Sequence, residues 1–451
     1  MLDAFFSTHH CRDGITRRHM LRAGMMGLGG LSLADAMRLQ AAQNEPAQVD
    51  RETSILVVWL QGGPSHLESY DVKPKAPFEI RGPFNPIRSN VAGIDLCELL
   101  PLHAKIADKF TLIRSCHHRY SCHNDGTPMM TSGYPDWDDA RKEPVYPDMG
   151  TVVNRVFGTI RNGLPTAMGM GARHWSYVPT TAAGYWSNAY RPPTVDQGLP
   201  NSSLTIDSER FRSRRDILDQ FDRMRRDLDV RRVMESFDDI GQQAVEVLTG
   251  NRARDAFDVS QEPQSVRDRY GAGWGQQALV GRRLIEAGVK FVTVSVPGGK
   301  VNYNWDDHAV NCDLPTAMRE RMPGFDQGVT ALIEDIYQRG LNEKTMIVVT
   351  GEFGRTPRMN QQKGTATGNL NWGRDHWPNA MSILVAGGGR SGGRVIGATN
   401  SLGEHPAERP LTPQDILATI YSHLGIDPSR TYLNPAGRPV ALSTGTAIAE
   451  L

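Results

Sequence analysis

Short apolar runs of strand length recur along the chain and alternate with longer segments of helical periodicity. The strand-like runs are SILVVWL at 54–60, FTLIRS at 110–115, KFVTVSV at 290–296, TMIVVT at 345–350 and MSILVA at 381–386. The helical pattern is clearest at 275–288, 322–340 and 412–425. Strands bounded by helices of this length predict an α/β fold built on a doubly wound, mostly parallel sheet.

Two stretches interrupt this alternation. Residues 171–205 are rich in Trp, Tyr, Pro, Ser and Asn, and residues 207–257 are dense in Arg and Asp at helical spacing. The second stretch predicts a charged helical hairpin whose solvated face is held by i,i+4 pairs. We therefore interpret 171–257 as a lid or insertion within one α/β domain that spans 43–451.

The amino terminus has the features of a targeting segment. Twin arginines, Arg17 and Arg18, precede AGMMGLGGLSLADA, which is too short and too rich in glycine for a stable membrane span. This pattern is typical of a signal for the Tat export machinery. It predicts that residues 1–42 are signal and linker, that the protein is periplasmic or extracellular, and that no transmembrane anchor remains after signal removal. The alternative is a basic amphipathic first helix that stays attached.

Charge and cysteine content narrow the function classes. Fifty basic residues balance 50 acidic ones, so there is no global field to recruit nucleic acid, and we expect no nucleic-acid partner. Five cysteines show no C-x-x-C spacing, which argues against a zinc ribbon or a thioredoxin-like motif. In an oxidising compartment the cysteines could form disulfides, and Cys116 and Cys122 are the nearest pair.

Polar, chemistry-bearing residues cluster where the predicted strands end or begin. The carboxyl ends of parallel strands share one edge of a sheet, so these side chains should converge, and imidazole and carboxylate oxygen are ligands for divalent metals. In the alternative reading, each histidine only hydrogen-bonds a turn. The loops are QGGPSHLESYD at 61–71, CHHRYSCHNDG at 116–126, NYNWDDH at 302–308, GEFGRT at 351–356 and NWGRDHW at 371–377.

A set of longer motifs, in a fixed order, carries a family resemblance. The sequence resembles the DUF1501 family of exported proteins, which is itself similar to the alkaline phosphatase and sulfatase superfamily, and the resemblance spans about residues 52–440. It implies an alkaline-phosphatase-like fold. The motifs are QGGPSHLESYDVKP, YGAGWGQQALVGRRLIEAGVKFVTV, NWDDH, VVTGEFGRTPRMN, GRDHWPNAMSILVAGGG and LTPQDILATIYSHLGIDP.

The resemblance also implies a site for one or two divalent metal ions, with zinc, calcium, magnesium and manganese as candidates. One departure is Gln61, which stands where the superfamily has an aspartate ligand; His66 or Asp71 could compensate from the same loop, or that site is lost. The ligands implied by the resemblance are Asp306, His308, Glu352, His376 and, as the compensating residue, His66.

The position of a catalytic nucleophile stays open. CHNDGTPMMTSGYP resembles the nucleophile segment of the superfamily, and its register points to Cys122 or His123. Cys122 lacks the C-x-P-x-R context for conversion to formylglycine, and His123 could be a metal ligand instead. Arg355 and Arg374 are the candidates to bind an anionic group, with internal pairing to Asp or Glu as the alternative.

Two functions are consistent with these features. The first is an exported metal-dependent hydrolase of phosphate or sulfate esters, with an anionic ester substrate. A carbohydrate ester is one candidate, because aromatic residues at 175–190 could stack on a sugar ring. The second is a non-catalytic exported binding or scaffold protein that retains the fold.

Overall fold

The computed structural model describes residues 52–161, 163–171, 178–195, 251–365 and 368–451. All of these belong to one compact unit, Arg51–Leu451. The predicted export signal with Arg17 and Arg18, and most of the predicted lid at 171–257, lie outside the described residues.

The described chain contains many short strands and fewer, longer helices. The strands are β1 Ser54–Leu60, β2 Pro86–Arg88, β3 Asp95–Cys97, β4 Phe110–Cys116, β5 Trp137–Asp138, β6 Glu143–Pro144, β7 Ile160–Arg161, β8 Leu164–Pro165, β9 Ala167–Met170, β10 Thr194–Val195, β11 Phe291–Val296, β12 Thr345–Gly351, β13 Gly354–Arg355, β14 Asn360–Lys363, β15 Leu370–Gly373, β16 His376–Trp377, β17 Met381–Gly387, β18 Arg394–Ile396, β19 Ala398–Thr399, β20 Pro406–Glu408, β21 Thr431–Leu433 and β22 Pro439–Ala441. The α-helices are α1 Phe78–Arg81, α2 Pro101–Lys105, α3 His123–Ser132, α4 Met149–Phe157, α5 Asn251–Phe257, α6 Gln264–Tyr270, α7 Trp274–Glu286, α8 Leu314–Gln338 and α9 Pro413–Leu424.

Eight strands form the central sheet, in the order β10-β9-β11-β1-β12-β17-β4-β18. Every neighbouring pair is parallel except those that involve β17, which runs antiparallel to both β12 and β4. The predicted mostly parallel sheet is confirmed. The reversal of β17 brings its amino end to the same edge as the carboxyl ends of β1, β4, β11 and β12.

The sheet is buried on both faces, which explains its continuous apolar sequences. In β1 all seven residues are buried, and alternate side chains enter two separate cores. Leu56, on one face, belongs to a core that includes Leu279 of α7 and Val329 of α8. Trp59, on the other face, belongs to a core that includes Leu417 of α9. Helices therefore cover both faces, as in a doubly wound sheet.

Helix α8 begins well before the segment at 322–340 that its periodicity predicts. The carboxylate of Asp313 accepts the backbone N–H of Thr316, and Pro315 lies in the first turn, where the helix needs no backbone donor. Pro323 lies inside the helix rather than near its start. The helix start is therefore set by its cap.

Several predictions about the chain's periphery can be compared with the described residues. Within these ranges no helix is long and apolar enough to cross a membrane. The part of the predicted lid that is described includes β10, which pairs with β9 at the edge of the sheet, and the helix α5. The described cysteines carry free thiols, so Cys116 and Cys122 are not bridged; they are Cys97, Cys116, Cys122 and Cys312.

Candidate metal centre

The loops at the carboxyl edge of the sheet bring four separate segments together. His123 opens α3 after β4, Asp306 and His308 lie in the loop after β11, and Glu352 directly follows β12. His376 lies in β16, just before β17. Because β17 is reversed, the loop that precedes it reaches the same edge as the loops that follow the other strands.

Asp306 lies at the centre of three imidazole rings. Its Oδ1 is 2.8 Å from Nε2 of His376 and 2.9 Å from Nε2 of His308. Its Oδ2 is 3.6 Å from Nε2 of His123. The Nε2 atoms of His308 and His376 are themselves 2.9 Å apart. One carboxylate and three ring nitrogens thus face a common point.

The other nitrogen of each ring is held by an acceptor. Nδ1 of His123 lies 2.9 Å from Oε1 of Glu352, and Nδ1 of His308 lies 2.6 Å from Oδ1 of Asp375. Nδ1 of His376 lies 2.6 Å from the backbone carbonyl of Ser121. Ionised carboxylates and carbonyls only accept hydrogen bonds, so each Nδ1 carries the proton and donates. Each Nε2 then points towards Asp306, where a bound metal ion would replace any Nε2 proton that the carboxylate accepts in the metal-free protein.

This donor set fits a divalent metal ion. Three Nε2 lone pairs and a carboxylate cannot face one another without a proton or a cation between them. In a tetrahedral site with bonds of about 2.0–2.1 Å, neighbouring ligand atoms lie about 3.3 Å apart. The three Nε2 atoms lie 2.8 to 3.6 Å from the carboxylate oxygens of Asp306, on either side of that value. His123, Asp306 and His376 offer ligand atoms that all lie within 4.8 Å of one another, and Nε2 of His308 lies 2.9 Å from both Asp306 and His376. We therefore regard His123, Asp306 and His376 as the core of the candidate ligand set and His308 as its fourth member.

The surroundings keep Asp306 ionised. Burial raises the pKa of its carboxyl group, but hydrogen bonds from His123, His308 and His376 and the charge of Arg355 hold that pKa well below the ordinary value. Burial lowers the pKa of His123, yet Asp306 and Glu352 together raise it to about 9. The centre therefore supplies a permanent negative charge beside its imidazoles.

The side chains of the centre are partly exposed to solvent. The side chains of His123, His308 and His376 are 16%, 21% and 17% exposed, and that of Asp306 is 12% exposed. Cys122, the residue before His123, is exposed. A small molecule could therefore approach the ring nitrogens without unfolding the loops.

Glu352 lies behind His123 and does not face the common point directly. It is fully buried, and its carboxylate accepts the backbone N–H of Gly62 at 2.6 Å and the hydroxyl of Thr127. Its remaining contact is with Nδ1 of His123, the ring nitrogen that points away from Asp306. The sequence nominates Glu352 as a ligand, whereas the structure places it where it orients one.

Two glycines of the first loop allow this close packing. Gly62 has φ +106°, and a Cβ there would lie 2.7 Å from the backbone nitrogen of Asp306. Gly63 has φ +85°, and its Cβ would lie 2.5 Å from the ring of Phe353. Only glycine adopts these backbone angles without strain. The QGG sequence thus lets the first loop lie directly against the centre.

Other residues that the sequence nominates in this loop lie elsewhere. His66 is buried, and its Nε2 is 2.9 Å from the carbonyl of Gly403, away from the three imidazoles. Gln61 accepts a hydrogen bond from the indole N–H of Trp59 at 2.7 Å. The structure therefore does not bring His66 to the candidate centre, and Gln61 stabilises the end of β1.

Arg355 and Arg374 are both fully buried and paired inside the protein. The Arg355 guanidinium donates to Asp306 at 2.6 Å and to backbone carbonyls, including those of Gly62 and Gly63. The Arg374 guanidinium donates to Glu68 at 2.6 Å and to carbonyls of neighbouring loops. The geometry is that of the internal pairing considered as the alternative to anion binding.

The structure also bears on the two nucleophile candidates. Cys122 occupies the N-cap position of α3, where its side chain makes no capping hydrogen bond. His123 faces Asp306 and Glu352, and its ring packs against His376 at a centroid distance of 4.5 Å. These contacts favour the ligand interpretation of His123.

Aromatic residues near the predicted lid pack against the protein. The ring of Trp186 lies over the guanidinium of Arg155 at 4.6 Å and against Tyr432 at a centroid distance of 4.9 Å. Such contacts are those of packing side chains. Residues 172–177 lie outside the described part of the chain.

Sequence reasoning gave no role to three groups that shape the centre. Asp375 holds His308, Thr127 holds Glu352, and the carbonyl of Ser121 holds His376. The position of Asp375 directly before His376 is the one signal that could have pointed to it. The contacts of Thr127 and Ser121 join segments far apart in the sequence, so no local pattern marks them.

Comparisons with known proteins place the chain in a family. No curated protein matches the sequence. Solved structures with a similar arrangement include the lipoteichoic acid synthase LtaP from Listeria monocytogenes, with 10% identity, 88% of this chain and 75% of that chain covered, and a TM-score of 0.38. The PsFucS1 sulfatase from Pseudoalteromonas sp. has 12% identity, 91% and 72% coverage, and a TM-score of 0.37. The phosphonate monoester hydrolase of Agrobacterium radiobacter has 12% identity, 88% and 76% coverage, and a TM-score of 0.36. The match that spans residues 52–451 is to the family described as "Protein of unknown function (DUF1501)", and the chain belongs to that family.

Proposed function

We propose that this protein is an exported, metal-dependent hydrolase of phosphate or sulfate esters. The observation that carries the proposal is the set of three imidazoles, each with its Nδ1 held by an acceptor and its Nε2 turned towards Asp306. Such a set is costly to assemble unless a cation compensates it. The partly exposed position of the set supports a role in chemistry at the surface of the protein.

The donor set favours zinc among the candidate metals. Three imidazole nitrogens and one carboxylate oxygen suit a borderline transition metal, whereas calcium and magnesium prefer oxygen ligands. A bound divalent ion would polarise an ester oxygen and lower the pKa of a water molecule. His123, His308, His376 and Asp306 would hold the ion.

The remaining residues keep this set in place. Glu352 and Asp375 fix the rings of His123 and His308 through their Nδ1 atoms. The Arg355 guanidinium fixes the carboxylate of Asp306 from the protein interior. Groups held in this way lose little entropy when a ligand binds.

The substrate class and the location of the protein complete the proposal. An anionic phosphate or sulfate ester would approach from the open side, where Cys122 lies. The twin arginines at 17 and 18 support export through the Tat machinery to a periplasmic or extracellular destination. Since Trp186 packs against Arg155 and Tyr432, a carbohydrate ester is a candidate substrate class on the sequence of the remaining aromatic residues at 175–190 alone.

Elemental analysis by inductively coupled plasma mass spectrometry tests the metal, on protein purified without chelators or a polyhistidine tag. We expect about one equivalent of zinc in the wild type and a loss of that zinc in Asp306→Ala. The matched control is Asp139→Ala, which removes a carboxylate that is 86% exposed on the surface. Phosphate and sulfate esters are then screened with the metal present. A folded wild type that binds no metal on titration would favour the non-catalytic binding or scaffold function.

A further inference from the structure

Asp375 connects the candidate centre to a neighbouring hairpin. Its Oδ1 accepts Nδ1–H of His308 at 2.6 Å, and its Oδ2 accepts the side-chain amide of Asn360 at 2.7 Å. Asn360 begins β14, which pairs with β15. Each carboxylate oxygen therefore has one donor, one from the centre and one from the hairpin.

The backbone of Asp375 is fixed as well. Its N–H donates to the hydroxyl of Thr356 at 3.0 Å, and its carbonyl accepts the backbone N–H of Thr356 at 2.8 Å. The adjacent residue, His376, pairs with Arg355 across the short β13–β16 ladder. Asp375 thus holds its carboxylate at a defined position although the side chain is 48% exposed.

From this geometry we infer that Asp375, oriented by Asn360, is a positioning residue that fixes the tautomer of His308 and thereby sets the metal affinity of the centre. The inference rests on the proposed function. Because the Asp375 carboxylate can only accept, Nδ1 of His308 keeps its proton, so Nε2 is the nitrogen that a metal ion would bind. Asp375 does not face the common point, so it acts through His308.

The sharpest variant is Asp375→Asn. An asparagine offers one oxygen to two donors, so either His308 or Asn360 must face an NH₂ group. If the NH₂ group faces Nδ1 of His308, the ring proton moves to Nε2 and blocks the lone pair. We expect the zinc dissociation constant to rise about 10-fold to 100-fold. Asn360→Ala, which leaves the carboxylate in place, should have a smaller effect, and Asp375→Glu should restore part of the affinity.

Affinity is measured by competition with a chromophoric zinc chelator, on the full chain, with Asp139→Asn as the control for the loss of one negative charge. Among the described residues, the control carboxylate pairs with Lys142 at the surface, at 3.3 Å. Asp375→Asn within twofold of wild type would overturn the inference, whereas a wild type that takes up no metal would overturn the proposed function and the inference together.

A second measurement does not depend on folding of any Asp375 variant. In protein labelled with ¹⁵N-histidine, ring nitrogen shifts report which nitrogen of His308 carries the proton, and His308→Asn assigns the signal. We expect Nδ1 of His308 to carry a proton in both metal-free and zinc-loaded wild type. A His308 ring whose Nδ1 lacks a proton in either state would overturn the inference even if metal binds.

Discussion

Asp306 and Asp307 are neighbours in the chain, yet their side chains serve different parts of the protein. Asp306 faces the three imidazoles and Arg355. Asp307 is buried and pairs with Arg321 of α8 at 2.5 Å, and its Oδ1 also accepts from Asn302 at 3.1 Å. One aspartate thus builds the centre, and the other anchors the loop to the helix below it.

Arg374 and Glu68 form a fully buried ion pair, so Arg374 should contribute to stability and not to substrate binding. Arg374→Met leaves the Glu68 carboxylate without its partner. We expect the free energy of unfolding to fall by about 3–5 kcal/mol. Urea denaturation measures this loss. The double variant Glu68→Leu/Arg374→Met should recover much of it, because no unpaired charge remains. Normal stability with weakened phosphate or sulfate binding would instead support anion binding by Arg374.

His118 is a buried histidine whose hydrogen bonds require the neutral ring. Its Nδ1 accepts the backbone N–H of Tyr120 at 3.2 Å, and its Nε2 donates to the carbonyl of Glu352 at 2.7 Å. Burial lowers the pKa of His118 to about 4; the nearby charge of His117 lowers it further, while the Glu352 contacts oppose the shift. The folded protein therefore resists protonating this ring.

This shift predicts a pH dependence of stability. Above pH 6.5 the ring is neutral in both states, so its contribution is fully present. Between about pH 6.5 and 4 the unfolded chain binds a proton that the folded chain does not. As the pH falls through this range, the free energy of unfolding decreases by about 1.4 kcal/mol per pH unit. Denaturation at several pH values gives the slope of the free energy of unfolding against pH. In His118→Asn this slope should be smaller by the contribution of one proton. Equal slopes in wild type and variant would contradict the prediction.

At the scale of elements, α3 carries His123 to the centre and packs closely on the loop after β12. Gly126, one turn into α3, has no room for a side chain, because a Cβ would lie 2.8 Å from the ring of Phe353. Phe353 is fully buried beside Glu352. The distance between α3 and this loop is therefore set by a glycine.

We expect Gly126→Ala to push α3 away from Phe353 and to lower the free energy of unfolding by about 1–3 kcal/mol. Metal affinity should fall as well, since His123 moves with the helix. The matched control is Gly324→Ala in α8, where a Cβ meets nothing within 4 Å. That control should stabilise the protein by about 0.5–1 kcal/mol. Thermal unfolding and chelator competition on both variants check the pair, and equal effects would argue against the steric explanation.

The elements themselves were largely predictable from sequence, for reasons that particular residues make clear. β1 reads as a strand because its seven residues are apolar enough to be buried on both faces. The start of α8 was not predicted, because the Asp313 cap outweighed the apolar periodicity on which the prediction relied. The direction of β17 was not predictable either, since a strand's sequence does not specify which way its neighbours run.

For the candidate centre, sequence reasoning identified the residues but not all of their positions. His, Asp and Glu at strand ends were a local signal, and Asp306, His308 and His376 do lie together. The burial of Arg355 and Arg374 depends on carbonyls and carboxylates that lie far away in the sequence. Such pairings follow from the tertiary fold alone.

At the scale of the whole molecule, a bound metal would link segments that lie far apart in sequence. Its ligands come from α3, from the loop after β11 and from the strand before β17. Unfolding would separate these segments, so the metal binds only the folded chain. At a free metal concentration 100 times the dissociation constant, we expect about 2.7 kcal/mol of added stability.

Differential scanning calorimetry with zinc, and again with a chelator, measures this difference as a change in melting temperature. The wild type should melt at a lower temperature after chelation. Asp306→Ala should melt at the same temperature in both conditions. A chelator effect of equal size in both proteins would place the relevant metal elsewhere.

The sheet order has a consequence for how the protein is made. In the sheet as described, the strands that pair with β4 are β17 and β18, which are both synthesised much later. Until β17 is synthesised, β4 has no paired strand beside it, and the edge of β12 that β17 will cover is also unpaired. Unpaired strand edges invite association with other chains. Chains that stall before residue 381 would therefore have an incomplete sheet. Nascent forms of this protein should depend on chaperones until translation is nearly complete.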